Sequence, residues 1–185
     1  MEQEHKKIKE LIDKAKSGNE EAFSEIYNEY FSPVYKYSLL RVKNIHIAED
    51  ITQGVFLKYF ENIKTFEWQD KSPLAYLFTI ARNSIINEWR KNKKLIKDVS
   101  IETLLDKEIS NESPEEDVRD SELAKTIRNH LKDLTEDQEE LIILKFFNQL
   151  SNTEIAKILN KNEEAIRQLQ FRALRSLREK LNGLI

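Results

Sequence analysis

The sequence has 185 residues, of which 34% are charged, with only three Gly and three Pro and a formal net charge of -3. Such a chain is long enough for one or two small domains, and its composition favours an all-helical fold. It contains no cysteine, which excludes disulfides and Cys-ligated metal centres and fits a reducing compartment.

The remaining metal-ligating and membrane signals are weak. The three histidines, His5, His46 and His130, lie far apart in the sequence, so we expect no metal site and no cofactor. No run approaches the roughly 20 apolar residues that span a bilayer, and the N-terminus lacks the apolar core of a signal peptide. These features predict a cytoplasmic protein with no membrane insertion.

An acidic strip divides the chain. Between Asp98 and Glu122 there are ten acidic residues against two basic ones, so the rest of the chain is net basic. The strip also contains Pro114 and lacks helical periodicity, which is typical of a segment that cannot fold alone. We predict two small helical domains, 1–96 and 122–185, joined by an acidic flexible linker at 97–121.

In the first half, apolar residues recur at helical spacing over 20–30 and 48–63, with a further apolar segment between them. Gly54 is a misfit inside the second of these helices, because glycine costs about 1 kcal/mol relative to alanine in a helix interior. Ser72 is a suitable N-cap and Pro73 a suitable first residue for the next helix, which continues for about five turns.

In the second half, short helices follow in quick order. Thr135 with Gln138, and Ser151 with Glu154, have the spacing of a capping box. The helix after Ser151 is short, and Asn162 can cap the longer basic helix that follows it. A short helix, a tight turn and a longer helix predict a helix-turn-helix.

The final helix is amphipathic. Its apolar stripe consists of Ile166, Leu169, Ala173, Leu177 and Leu181. The opposite side carries Arg167, Gln168, Phe171, Arg172, Arg175 and Arg178. A solvated basic face is one interpretation of this side, and a DNA-recognition helix is the other. The preceding short helix and turn favour the second, because that arrangement lets a helix enter a major groove.

The candidate DNA contacts on this helix are Arg167, Gln168, Phe171, Arg172 and Arg175. Arg167 and Gln168 lie near the N-terminal end, where such helices meet base edges, and Phe171 has the chemistry to contact a thymine methyl. The arginines further along suit phosphate contact. Glu163 and Glu164 at the helix start would repel phosphates unless they point to solvent, accept from cytosine or meet a protein partner.

Two blocks, 48–91 ("AEDITQGVFLKYFENI…NEWRK") and 134–181 ("LTEDQEELIILKFF…LREKL"), together resemble the bacterial RNA polymerase sigma factors of the small extracytoplasmic-function type. The resemblance implies that 1–96 is a region 2 helical bundle, which binds core polymerase and recognises and melts the minus-10 element. It implies that 122–185 is a region 4 helix-turn-helix for the minus-35 element. The implied partners are core polymerase and promoter DNA, with an anti-sigma protein as a further candidate.

The resemblance also assigns residues in the first domain. The implied contacts to core polymerase are Glu49, Asp50 and Gln53. The implied minus-10 and backbone contacts are Arg82, Asn83, Asn87, Arg90 and Trp68. Trp68 lies in the loop 67–72, which matches the loop that pockets an unstacked base. An ordinary solvated helix face is the alternative for the first group, and a core anchor is the alternative for Trp68.

Three positions depart from the family pattern. Gly54 replaces a residue that is usually polar or acidic, and Asn160 and Lys161 stand in the turn where the family commonly has Gly and an apolar residue. Because Asn tolerates positive φ, we expect the turn to survive. Lys161 cannot supply the apolar contact, so we expect the turn to pack differently.

Two other functions are compatible with parts of the sequence. The first is a free-standing helix-turn-helix regulator with a helical N-terminal domain for sensing or dimerisation, which would bind duplex DNA tightly by itself. The second is an enzyme, which we do not expect: the sequence has no P-loop, no Gly-rich phosphate loop and no nucleophile with a plausible base.

The acidic strip either follows a path through the polymerase, as the resemblance implies, or serves as a plain tether.

Overall fold

A computed structural model of the chain describes residues 2–65, 73–91 and 130–182, and these ranges contain helices and no β-strand. The chain divides into two compact units, Met1–Ile96 and Lys97–Ile185. The predicted linker, Ser72 and the loop with Trp68 lie outside the described residues. Within those ranges, no helix combines the length and apolar character that a membrane span requires. The predicted all-α fold is confirmed.

Within residues 2–65 and 73–91, the first unit contains four α-helices. They are α1 (Glu2–Lys16), α2 (Glu20–Val42), α3 (Ile45–Asn62, followed by the 3-10 turn Ile63–Thr65) and α4 (Pro73–Lys91). Asparagine side chains cap two of them. Asn19 Oδ1 accepts from the backbone N–H of Ala22 at 2.7 Å, and Asn44 Oδ1 accepts from that of Ile47 at 3.1 Å. Helix α4 begins at Pro73, as the sequence predicts.

Helix α2 runs without interruption through Pro33 and has 23 residues. It joins the apolar segment 20–30 to the further apolar segment that follows it in the sequence. An interior proline costs about 3 kcal/mol, because it lacks an N–H and its ring crowds the carbonyl four residues earlier. Buried side chains on both sides of it, including Tyr30, Val34 and Tyr37, offset that cost by removing apolar surface from water.

Helix α2 is central to the first unit, since it packs against α1, α3 and α4. Aromatic pairs join it to its neighbours. The ring centroids of Tyr27 and Phe56 on α3 lie 4.7 Å apart, and those of Tyr37 and Phe78 on α4 lie 5.0 Å apart. This packing fixes α3 and α4 side by side, and both carry residues that the resemblance assigns to function.

Within residues 130–182, the second unit contains three complete α-helices and one π-helical turn. They are α5 (Glu136–Ile142), the π-helical turn (Ile143–Phe147), α6 (Asn152–Leu159) and α7 (Glu163–Asn182). The sequence predicts helix through 136–150, whereas the α-helix ends at Ile142. Asn148 Nδ2 donates to the carbonyl of Ile143 at 3.0 Å, and the N–H of Leu150 donates to that of Leu144 at 3.1 Å. These bonds satisfy carbonyls that a continued α-helix would have used.

Helix α7 packs against α5 and α6 through the predicted apolar stripe. Ile166 and Ala173 are fully buried, and Leu169 and Leu177 are at most 6% exposed. The side chain of Leu181, the last member of the stripe, lies outside the described residues. The buried stripe leaves the opposite side of α7 facing away from the core of its own unit.

Candidate nucleic-acid interface

The helix-turn-helix consists of α6, a short turn and α7, and its caps follow the sequence prediction. Ser151 Oγ accepts from the N–H of Glu154 at 3.2 Å, and the Glu154 carboxylate accepts from the N–H of Ser151 at 2.8 Å. At the other predicted box, Gln138 Oε1 accepts from the N–H of Thr135 at 3.1 Å. Asn162 Oδ1 caps α7 by accepting from the N–H of Ala165 at 2.7 Å.

The turn between α6 and α7 forms although Asn160 and Lys161 depart from the family pattern. Asn160 has φ +52°, the left-handed conformation that asparagine tolerates. The Nζ of Lys161 lies 3.1 Å from Asp137 Oδ2 at the start of α5. An exposed ion pair therefore connects the turn to α5 at the position where the family pattern has an apolar contact.

The predicted DNA contacts of α7 all lie on its exposed side. Arg167, Gln168, Phe171 and Arg172 line one shallow depression on the helix surface. Arg175 is about one turn further along, with its Nε donating to Glu179 at 2.9 Å. Phe171 is 69% exposed, which is unusual for so large an apolar ring and leaves it available for contact.

Sequence reasoning missed Leu174 on the same helix, which is 41% exposed. It lies three residues after Phe171, and three-residue spacing brings side chains close together on a helix. That spacing was the available signal, since Leu174 falls outside the buried stripe. The exposed side of α7 therefore carries apolar as well as basic groups.

The two acids at the start of α7 bind groups of their own unit. Glu164 Oε2 accepts from Arg167 Nε at 3.1 Å and lies 3.0 Å from Arg167 Nη2, while Glu164 Oε1 lies 3.4 Å from the donating Nε2 of Gln168. Glu163 Oε1 accepts from Thr153 Oγ1 of α6 at 2.9 Å. Both carboxylates are thus engaged at the point where the predicted base contacts begin.

In the first unit, the predicted contacts to core polymerase lie together on α3. Glu49, Asp50 and Gln53 are all exposed. Leu57, which sequence reasoning missed, is 59% exposed and lies four residues after Gln53, so it continues the same side of the helix. The result is an exposed helix side with polar and acidic residues at one end and an apolar residue at the other.

On α4, three of the four predicted minus-10 contacts share one side. Asn83, Asn87 and Arg90 are exposed and recur at spacings of four and three residues, so they project in similar directions. Arg82 is half-buried and one position away from Asn83, about 100° around the helix. The fifth candidate, Trp68, lies outside the described residues.

A groove of about 290 Å³ lies on the surface between α3 and α4. Both the candidate polymerase contacts and the candidate minus-10 contacts contribute residues to it. Asp50 and Gly54 line it from α3 and Asn87 from α4. Lys58 Nζ donates to Ser84 Oγ at 3.3 Å across the two helices, and Ser84 is half-buried. A β-carbon added at Gly54 would meet no atom within 4 Å, so this part of the groove is open.

Two family models match the chain. The one described as Sigma-70 region 2 matches residues 26–95, and the one described as Sigma-70, region 4 matches residues 130–179. One match lies in each helical unit, and together they cover more than half of the sequence.

Curated relatives agree with these matches. The chain is 34% identical over 171 residues to the ECF RNA polymerase sigma factor BldN of Streptomyces coelicolor, a match that covers 92% of this chain and 64% of the relative. It is 29% identical over 191 residues to the ECF RNA polymerase sigma factor SigW of Bacillus subtilis, covering 96% and 98%. The chain thus spans just under two thirds of BldN and nearly all of SigW.

Among solved structures, the sigma factor RpoE in complex with the anti-sigma factor NepR from Bartonella quintana is similar, with a TM-score of 0.66 and 23% identity. That match covers 86% of this chain and 96% of RpoE. At this identity the likeness shows the fold alone.

Proposed function

Because the chain belongs to the sigma-70 family, in its extracytoplasmic-function group, we propose that it binds core RNA polymerase and directs it to selected promoters. One observation carries the proposal: a single chain contains both a region 2 unit and a region 4 unit. A regulator that only bound DNA would need the second unit alone. The polymerase supplies the chemistry of transcription, so the chain acts as a specificity subunit and not as an enzyme, and its place of action is the cytoplasm.

In this proposal the second unit recognises the minus-35 element through α7. A major groove about 12 Å wide admits one helix, and Arg and Gln are suited to the edges of guanine and adenine. Arg167 and Gln168 contact bases, Phe171 packs on a thymine methyl, and Arg172 and Arg175 contact phosphates and fix the register. The exposure of all five side chains supports these roles.

The first unit binds core polymerase and opens the minus-10 element. The proposed polymerase contacts are Glu49, Asp50 and Gln53 on α3. The proposed contacts to the opened strand and its backbone are Arg82, Asn83, Asn87 and Arg90 on α4, with Trp68. Taking a base out of the stack costs a few kcal/mol, and stacking, edge hydrogen bonds and basic side chains along the displaced strand offset that cost.

The proposed domain boundaries are 1–96, 97–121 and 122–185, with the acidic strip as the connection. We also propose an anti-sigma factor as a partner that holds the chain inactive. Membership of the family supports this, because the resemblance to sigma factors of the extracytoplasmic-function type implies an anti-sigma protein as a further partner.

Transcription in vitro tests the function. Purified protein mixed with core polymerase from the same organism, on genomic DNA fragments, should initiate at a defined set of sites that core polymerase alone does not use. Mapping the start sites then yields the shared minus-35 and minus-10 sequences. A protein that never associates with core polymerase, and that binds a palindromic duplex tightly on its own, would be a free-standing regulator instead.

A further inference from the structure

The first turn of α7 contains a carboxylate that engages both predicted base contacts at once. Glu164 Oε2 accepts a hydrogen bond from Nε of Arg167 at 3.1 Å, and Glu164 Oε1 accepts one from Nε2 of Gln168 at 3.4 Å. All three residues line the same shallow depression with Phe171 and Arg172. One side chain therefore contacts both of the groups proposed to read sequence.

Stability does not account well for this arrangement. The side chains of Glu164 and Arg167 are 63% and 57% exposed, and exposed ion pairs contribute little to the free energy of unfolding. The negative charge is favourable in the first turn of a helix, but Glu163 supplies the same charge one position earlier. The cluster is better explained by its effect on the donors of Arg167 and Gln168.

The geometry of the guanidinium defines that effect. Glu164 Oε2 contacts Nε and Nη2 of Arg167, at 3.1 and 3.0 Å, so it occupies one edge of the planar group. Glu163 Oε2 lies 3.9 Å from Nη1, beyond hydrogen-bonding distance, so the edge formed by Nη1 and Nη2 keeps its two outward-pointing donors. A bidentate contact to the O6 and N7 of guanine uses two such donors. The carboxylate also repels phosphate, which reduces the tendency of Arg167 to bind the backbone of any sequence.

We propose that Glu164 is a specificity-determining residue that positions Arg167 and Gln168 for base edges and disfavours their contact with phosphates. This inference rests on the proposed function and names how the minus-35 site selects its sequence. Glu164 acts through its neighbours, so it is a positioning residue.

The chain offers a matched control on the same helix. Arg175 Nε donates to Glu179 at 2.9 Å, and these side chains are 70% and 63% exposed. The variants E164Q and E179Q each remove one negative charge from an exposed Arg–Glu pair on α7. They differ in the arginine involved: Arg167 is proposed to read a base and Arg175 to contact phosphate.

The experiment measures holoenzyme affinity for a promoter mapped by transcription in vitro, and for every single-base variant of its minus-35 element, at several salt concentrations. We expect E164Q to raise affinity for unrelated DNA and to lower discrimination at the base pair read by Arg167 by about tenfold. E179Q should raise affinity for all sequences equally, steepen the salt dependence by up to about one charge, and leave discrimination at its wild-type value.

A double-mutant cycle tests whether Glu164 acts through Arg167. R167A should lose discrimination at one base pair, and adding E164Q to R167A should cause no further loss there. The proposal is overturned if E164Q keeps wild-type discrimination, or if E164Q costs as much discrimination in the R167A background as in the wild type. A wild-type holoenzyme with no promoter preference would instead refute the proposed function itself, so the two failures are distinguishable.

Discussion

Arg41 is a charged residue whose burial the sequence does not suggest. It is 4% exposed near the end of α2, and its guanidinium carbon lies 4.7 Å from the centroid of the Trp89 ring on α4. Cation–π contacts of this kind contribute about 2 kcal/mol when the cation is removed from water. Arg41 therefore connects the C-terminal end of α2 to the end of α4 that carries Arg90.

Replacing Arg41 with alanine should lower the free energy of unfolding of the first unit by about 2 to 4 kcal/mol, because the substitution leaves a cavity and removes the contact with Trp89. Urea denaturation followed by circular dichroism measures the change. The control is E29A on the exposed side of the same helix, which should stay within about 0.5 kcal/mol of wild type. Equal midpoints for the two variants would contradict the role assigned to Arg41.

Side chains whose place follows from helical periodicity could be predicted, and side chains whose place depends on a neighbour could not. The stripe from Ile166 to Leu177 is buried as its spacing predicts. The pairing of Glu164 with Arg167 depends on rotamers that periodicity does not determine, so the sequence left three possibilities for that acid. The burial of Arg41 could not be predicted for the same reason, because its charge alone indicates an exposed side chain.

At the scale of the helices, α3 carries an interior glycine next to the candidate polymerase contacts Asp50 and Gln53. Gly54 is half-buried beside the groove between α3 and α4, and an added β-carbon would touch nothing within 4 Å. Glycine weakens a helix interior because it loses more backbone freedom on folding than any other residue. A glycine often occupies such a position because a neighbouring group leaves no room for a side chain. No described residue approaches Gly54 in that way.

The variant G54A should therefore raise the free energy of unfolding by about 0.5 to 1 kcal/mol. The reverse change at a buried position of the same helix, A48G, should lower it by at least about 1 kcal/mol, because Ala48 is fully buried. Denaturation of both variants beside wild type measures the two effects. A destabilised G54A would mean that the groove is narrower than the structure describes.

The sequence predicted most of the described helices, but not that one continues through a proline and that another ends in a π-helical turn. Proline normally interrupts a helix, so the continuity of α2 through Pro33 depends on tertiary burial that local pattern does not reveal. The π-helical turn Ile143–Phe147 depends on the Asn148 side chain reaching the carbonyl of Ile143. By contrast, the turn at Asn160 was predictable, because asparagine is one of the few residues that accept its positive φ.

At the scale of the whole molecule, the proposed function requires both units to act on one promoter. The proposed linker of about 25 residues extends to at most roughly 80 to 90 Å, which permits the two units to contact separate DNA elements. Joining two weak binding modules raises overall affinity by about 10² to 10⁴ when both can engage at once. Core polymerase is proposed to provide that condition by holding both units.

The most direct measurement compares the affinity of the purified protein for a mapped promoter duplex with and without core polymerase, at one salt concentration. We predict that the protein alone binds weakly and with little preference, and that core polymerase raises its affinity for the promoter by about 100-fold or more. If the protein alone binds the duplex as tightly and selectively as the holoenzyme does, the chain is a free-standing regulator and not a sigma factor.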